Sequence, residues 1–187
     1  VRSLGARGKV LLLVGTKPEA KDAVERGALK LGLPYVIARW IGGTISNFAE
    51  IRRKINELEE YQRDSTEGKL EKYTKKERGT LAKKMERLSV YYTGLLVLKK
   101  LPDAIYVVDP GAQAIAVTEA RKAGIPVVAL ANSDSNIKNI DYPILGNDAS
   151  VPAINLITGA LILAYEEGKA NPENVKNNNG TSKETKG

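Results

Sequence analysis

Lys9-Val-Leu-Leu-Leu-Val-Gly15 is a short, uninterrupted apolar run that stops at a glycine. A half-exposed strand alternates apolar and polar residues. A strand covered by helices on both faces is apolar throughout, and this stretch reads as one. Thr16 follows, with Glu19 three residues on, the spacing of a capping box. A helix is therefore predicted from Thr16. Its inward stripe is Ala20, Ala23, Val24, Ala28 and Leu31, and Gly32 ends it. Pro34 to Ala38 reads as the next strand. A strand, a helix and a second strand in this order form one unit of a parallel sheet.

The same pattern returns beyond residue 100. Ala104 to Val108 reads as a strand, and Asp109-Pro110 as the start of a helix that Gly124-Ile125-Pro126 breaks after Ala123. Val127 to Ala131 reads as a further strand. Asp148 to Ser150 is placed to cap a last helix, with Ala153, Ile154, Ile157, Ala160, Leu161 and Ala164 inward and Gly168 at its end. The expected architecture is a doubly wound α/β domain, a parallel sheet with helices on both faces.

Between Ile45 and Leu96 there is no strand signal. Phe48, Ile51, Ile55 and Leu58 step by three and four, and Leu81, Met85, Leu88, Tyr92 and Leu95 do the same after a break at Asp64 to Tyr73. Thr74 and Glu77 form another capping-box pair. Two narrow apolar seams with charged flanks predict an inserted antiparallel coiled-coil hairpin that projects from the domain. The α/β domain is thus expected over residues 1–44 and 97–168 and the hairpin over 45–96. The Asn-, Lys- and Gly-rich stretch 169–187 is expected to be a disordered tail. The opening Val1-Arg2-Ser3-Leu4-Gly5 reads as the end of a helix, so the sequence reads as starting inside a longer chain.

Charge and composition narrow the function. The chain has 187 residues, with 29 Lys and Arg against 22 Asp and Glu, for a formal charge of +7. That excess suits a polyanionic partner. Cysteine and histidine are both absent. Disulfides, thiolate nucleophiles, Cys/His zinc sites and Ser-His-Asp triads are therefore excluded within this sequence. No apolar run approaches the roughly 18 residues that a membrane helix needs. No Gly-x-Gly-x-x-Gly or Gly-x-x-x-x-Gly-Lys-Ser/Thr follows a strand, so neither a dinucleotide nor a triphosphate loop is provided. No cofactor or metal is expected.

Two site readings remain. In the first, Asp109, Asp134 and Asp148 gather at the carboxyl edge of the sheet and serve an α/β enzyme acting on a phosphorylated or sugar substrate. Against it, Asp at these places also caps helices and forms turns. In the second, the hairpin's basic clusters hold RNA phosphates. Residues 50–87 hold Arg52, Arg53, Lys75, Lys76, Lys83 and Lys84 among their cations. The competing account is a solvated helix face laced with pairs such as Glu50–Lys54. Before the hairpin stands Arg39-Trp-Ile-Gly-Gly-Thr44. Trp40 reads either as a core plug at the hairpin's root or as a base-stacking ring, and Arg39 as a polar contact.

Several motifs together resemble a known family. Arg39-Trp-Ile-Gly-Gly-Thr-Ile-Ser-Asn47 is similar to a segment of the bacterial-type second protein of the small ribosomal subunit. So, in order, are Leu12-Leu-Val-Gly-Thr-Lys17, Tyr73-Thr-Lys-Lys-Glu77, Leu101-Pro-Asp-Ala-Ile-Tyr-Val-Val-Asp-Pro110 with Glu119, Gly124-Ile-Pro126, Asp141-Tyr-Pro143 and Gly146-Asn-Asp148. The resemblance implies a flavodoxin-like α/β domain with an inserted coiled-coil hairpin. It implies a non-catalytic structural constituent of the small subunit, on the solvent side between head and body of the cytoplasmic ribosome. The implied partners are small-subunit rRNA and neighbouring proteins, including the large mRNA-binding protein built of OB-fold repeats. The residues expected to contact RNA are Arg39, Asn47, Arg52, Arg53, Lys75, Lys76, Lys83 and Lys84. The sequence departs from the family pattern at its start, which lacks the opening Gly-x-His-x-Gly-His stretch. It departs again at Gln113, where an acid is common, after Gly146-Asn-Asp148, where an Arg is usual, and at the hairpin exit Thr93-Gly-Leu-Leu-Val-Leu-Lys-Lys100.

Overall fold

The computed structural model describes residues 1–172. In chain order it comprises α1 (Arg2–Ala6), β1 (Leu11–Val14), α2 (Pro18–Leu31), β2 (Tyr35–Val36), α3 (Phe48–Thr66), α4 (Lys75–Tyr92), β3 (Ala104–Val108), α5 (Ala114–Lys122), β4 (Val127–Ala131), β5 (Tyr142–Leu145) and α6 (Val151–Ala170). The five strands form one sheet in the order β2-β1-β3-β4-β5, and every pairing is parallel. This is the flavodoxin-like order, whose switch point lies between β1 and β3.

The apolar runs explain the layers. Side chains alternate across a strand, so each run serves two cores at once. Leu12 and Val14 of β1, Ile105 and Val107 of β3, and Val127 and Ala129 of β4 face a core completed by α5 and the roots of α3 and α4. Leu11, Leu13, Ala104, Tyr106, Val108, Val128 and Leu130 face the opposite core under α2 and α6. The four residues of β1 are all fully buried. Full burial of a Leu or Val contributes about 1.5–3 kcal/mol, which is why these strands are apolar throughout. Between Tyr106 and α6 lies a polar contact, the phenol oxygen 3.0 Å from the Thr158 hydroxyl.

Helices α3 and α4 pack against each other through Ile55, Leu58 and Met85. Lys84 pairs with Glu57, and Tyr92 lies within the field of Glu50. Rising number in one helix thus meets falling number in the other, so the two are antiparallel. The Thr74–Glu77 capping box forms as the spacing predicts, with the Thr74 N–H donating to the Glu77 carboxylate at 2.9 Å.

Several expectations need correction. Thr16 does not cap α2. Lys17 holds that position without a side-chain cap, and Pro18 supplies the preset φ of the first turn. Thr16 Oγ1 instead accepts a hydrogen bond from Gln113 Nε2 at 2.6 Å. Helix α5 starts at Ala114, not at Asp109. Asp109 takes φ +60°, which a helix forbids, and its carboxylate accepts from the Ala112 N–H at 3.0 Å to close a turn. Strand β5 was not expected from the pattern. It carries Pro143 and is largely exposed, which an edge strand tolerates. Helix α4 stops at Tyr92, and Leu95 sits in a separate 3-10 turn. Gly168 does not end α6, which continues to Ala170. Its missing side chain lets α1 lie against α6, where a Cβ would collide with the Arg2 carbonyl. Lys169 and Ala170, assigned to the tail, are helical. The rest of the expected tail beyond residue 172 lies outside the described residues.

Candidate nucleic-acid interface

The segment Arg39–Asn47 joins β2 to the hairpin, and one carboxylate shapes it. Glu119 of α5 is buried. It accepts hydrogen bonds from the backbone N–H groups of Gly43 (2.7 Å), Ile45 (2.9 Å) and Ser46 (3.1 Å) and from Trp40 Nε1 (3.3 Å). Burial alone would raise its pKa, but these donors outweigh burial and hold the carboxyl below its ordinary value. Gly43 takes φ +93°, so the turn that aims its N–H inward favours glycine there. Trp40 is buried in the core that the hairpin root shares. It is therefore a core plug and not an exposed stacking ring. Arg39 and Asn47, at the two ends of the same segment, are exposed.

The two hairpin helices carry different charge. Helix α3 has four basic and five acidic residues, whereas α4 has six basic and two acidic. The cations of α3 are largely spoken for. Arg52 pairs with Glu59 at 3.1 Å and donates to the Leu98 carbonyl. Arg53 pairs with Glu50 at 2.6 Å, and Lys54 with Glu57 at 3.7 Å. Lys84 of α4 joins that set through Glu57, and its ammonium holds the Glu57 carboxyl below the usual range. Lys75, Lys76 and Lys83 are exposed and form no ion pair among the described residues. Of the eight residues expected to meet RNA, three thus satisfy a neighbouring carboxylate. Arg39, Asn47, Lys75, Lys76 and Lys83 are exposed and pair with no carboxylate among the described residues.

Lys75, Lys76 and Arg78 stand in the first turn of α4. The helix N-terminus carries a partial positive charge that favours acids, so cations there are locally unfavourable. An approaching polyanion would turn that repulsion into attraction.

The three aspartates of the enzyme reading do not converge. Asp109 and Asp148 meet across Lys17, whose ammonium lies 2.5 Å from Asp109 Oδ2 and 3.4 Å from Asp148 Oδ1. Burial opposes ionisation of Asp109. The Lys17 ammonium and the Ala112 N–H more than offset it and hold the carboxyl below its usual value. Desolvation likewise lowers the Lys17 pKa, and its two carboxylate partners raise it by more. Asp134 lies apart and exposed, in a turn where its N–H donates to Asn132 Oδ1 at 2.9 Å. The cluster is one lysine shared by two carboxylates at the sheet's carboxyl edge. No group of three or more acidic side chains that could hold a metal occurs among the described residues. Nor is any helix among them long and apolar enough to cross a membrane.

Sequence reasoning missed Lys17 and the structural role of Glu119. Their partners lie up to 131 and 79 residues away, a distance that no local spacing encodes. The Gln113 contact to Thr16 is hidden in the same way.

A flavodoxin-like sheet with a long basic hairpin inserted after its second strand defines an α/β scaffold that presents an arm. The model of the family described as "Ribosomal protein S2" matches residues 1–168. The chain belongs to that family. It is 46% identical over 157 residues to the small ribosomal subunit protein uS2 of Thermus thermophilus, in two strains alike, which covers 84% of this chain and 61% of the relative. It is 42% identical over 162 residues to the same-named protein of Salinibacter ruber, covering 87% of this chain and 51% of the relative. The chain thus spans between half and about three fifths of the length of these curated relatives. All three bear the name of a ribosomal protein, and nothing in them favours the enzyme reading.

Proposed function

We propose that the chain is a non-catalytic structural constituent of the small ribosomal subunit, held to small-subunit rRNA through phosphate contacts. The observation that carries this is the outward set of cations that form no ion pair among the described residues, Lys75, Lys76 and Lys83 on α4 and Arg39 at the hairpin root, in a member of this family. Such contacts fix position by charge and shape and do not read base sequence. Asn47, exposed at the other end of the Arg39–Asn47 segment, adds a neutral donor. Arg52, Arg53 and Lys84 engage RNA only where phosphate displaces their present carboxylates. The reading includes neighbouring small-subunit proteins, among them the large mRNA-binding protein of OB-fold repeats, and a place on the cytoplasmic ribosome.

The test is binding of the full chain to small subunits depleted of their own copy, across a salt series. Saturable one-to-one binding is expected. The log–log salt slope should steepen by roughly 0.7–0.9 per phosphate contact. Lys75→Gln with Lys76→Gln should lower the slope by roughly 1.4–1.8 on the same scale. Binding that neither saturates nor depends on salt would overturn the reading.

A further inference from the structure

Tyr73, Lys76, Glu77, Thr80, Leu81 and Lys84 line a groove of about 410 Å³ along the start of α4. Lys76, Glu77, Thr80, Leu81 and Lys84 fall together because they step by three and four residues along α4, and Tyr73 lies just before that helix. The chain enters α4 extended at Tyr73 and Thr74, and Tyr73 lines the groove with them. Tyr73 is 38% exposed. Leu81 is half-buried against the hairpin core and forms the second apolar wall. Lys76 and Lys84, eight residues apart, stand about 12 Å from each other along the helix axis. The acidic member, Glu77, is turned back onto Thr74, accepting from its N–H at 2.9 Å and its hydroxyl at 2.8 Å.

We infer that this groove takes one unstacked nucleotide of RNA, its base against the Tyr73 ring and Leu81, one flanking phosphate on Lys76 and the other on Lys84, where it displaces Glu57. The inference rests on the RNA reading above and names what part of the RNA the hairpin holds. Three features favour RNA over a peptide. An aromatic wall accepts any base by stacking. Lysines stand at both ends of the wall, Lys76 with no ion pair among the described residues and Lys84 shared with Glu57. Lys75, Lys76 and Arg78 in the first turn, which form no ion pair among the described residues, extend the positive surface beyond the groove, as a phosphate chain would require.

The test uses the full chain with three probes: a labelled single-stranded RNA octamer, a blunt RNA duplex of equal length, and a polyglutamate peptide. Tyr73→Ala should weaken octamer binding by roughly 5- to 150-fold, the range seen when a stacking ring is removed. Tyr73→Phe, which keeps the ring, should stay within about twofold, and duplex binding should not change. Far-ultraviolet circular dichroism checks that both variants keep the hairpin helical. An unchanged octamer affinity in Tyr73→Ala, or an equal loss on the duplex, would overturn the inference. So would a peptide that competes at equal strength and depends on Tyr73, which would make the groove a protein dock. Binding of transcribed small-subunit rRNA separates the two levels. If it persists with its salt slope while Tyr73→Ala leaves the octamer unaffected, the groove fails and the ribosomal reading stands. If the unaltered chain does not bind rRNA, the ribosomal reading fails and the octamer still decides the groove.

Discussion

Glu119 and Asp148 are both buried carboxylates, and their surroundings differ sharply. Glu119 receives four donors, three of them backbone amides of a single segment. Asp148 shares one lysine with Asp109 and takes a 3.3 Å contact from Asn132, while its Oδ2 has no hydrogen-bond partner among the described residues. A buried carboxylate is stabilising only to the extent that donors replace its lost water. Glu119 therefore acts as a template on which the path from β2 to the hairpin is laid. Asp148 acts as half of a counter-ion for Lys17. The first is a structural keystone for the arm, and the second balances charge where β1, β3 and β5 end.

The difference can be broken at either end. Glu119→Ala strands the amides of Ile45, Ser46 and Gly43 without an acceptor, and should lower stability by about 3 kcal/mol in urea unfolding. Hydrogen exchange at Ile45 and Ser46 should accelerate in the same variant. Lys17→Met leaves Asp109 and Asp148 facing one another, at a loss of about 2 kcal/mol. Acidification should restore part of that loss, because protonating one carboxyl removes the repulsion. A milder change, Glu119→Gln, keeps the shape and one acceptor and should lose about 1–2 kcal/mol.

That variant also sharpens the comparison through pH. The Glu119 pKa is depressed in the folded chain, so its stabilisation is complete above the ordinary carboxylate value of about 4.3 and fades as pH falls through the lower folded value. Unfolding free energy measured downward from about pH 5 should therefore drop less steeply in Glu119→Gln. The smallest effect is expected at Tyr106→Phe. Losing the contact to Thr158 should remove about 1 kcal/mol at neutral pH. Burial pushes the Tyr106 hydroxyl up to about 12, against the opposing pull of Thr158. Its stabilisation is intact below the ordinary value of about 10 and is lost as pH rises toward that higher one, a decline the phenylalanine variant should lack.

Much of the scaffold was legible because burial on both faces imposes a composition. β3 and β4 begin and end where their apolar runs do, and β1 lies within its own. The hairpin was legible from its seams, whereas Trp40 reads from sequence as either a core plug or a stacking ring and only the fold, which buries it, decides. β5 was not, since an exposed edge strand is under no pressure to be apolar and Pro143 argues against a strand. The capping box at Thr16 failed although the same motif at Thr74 formed. At Thr74 the helix end is solvated and local bonding decides, whereas Thr16 faces Gln113 across the sheet edge. The candidate interface was legible as charge but not as availability. Sequence places Arg53 and Lys75 alike among the cations, and only the fold reveals that Glu50 already holds one of them.

The hairpin also bears on how the chain reaches its fold. β1 must pair in parallel with β3, and the Val10 amide meets the Asp103 carboxylate across 93 residues of chain. Closing so long a loop is slow, but α3 and α4 meet through contacts near in sequence and can zip before it closes. Once paired, they bring the two ends of the insertion together and shorten the effective loop by about half, a saving of about 0.6 kcal/mol in chain entropy. Because the dependence on length is so shallow, the arm can grow or shrink by whole turns with little consequence for assembly of the sheet beneath it. Its reach is therefore free to be set by whatever it touches.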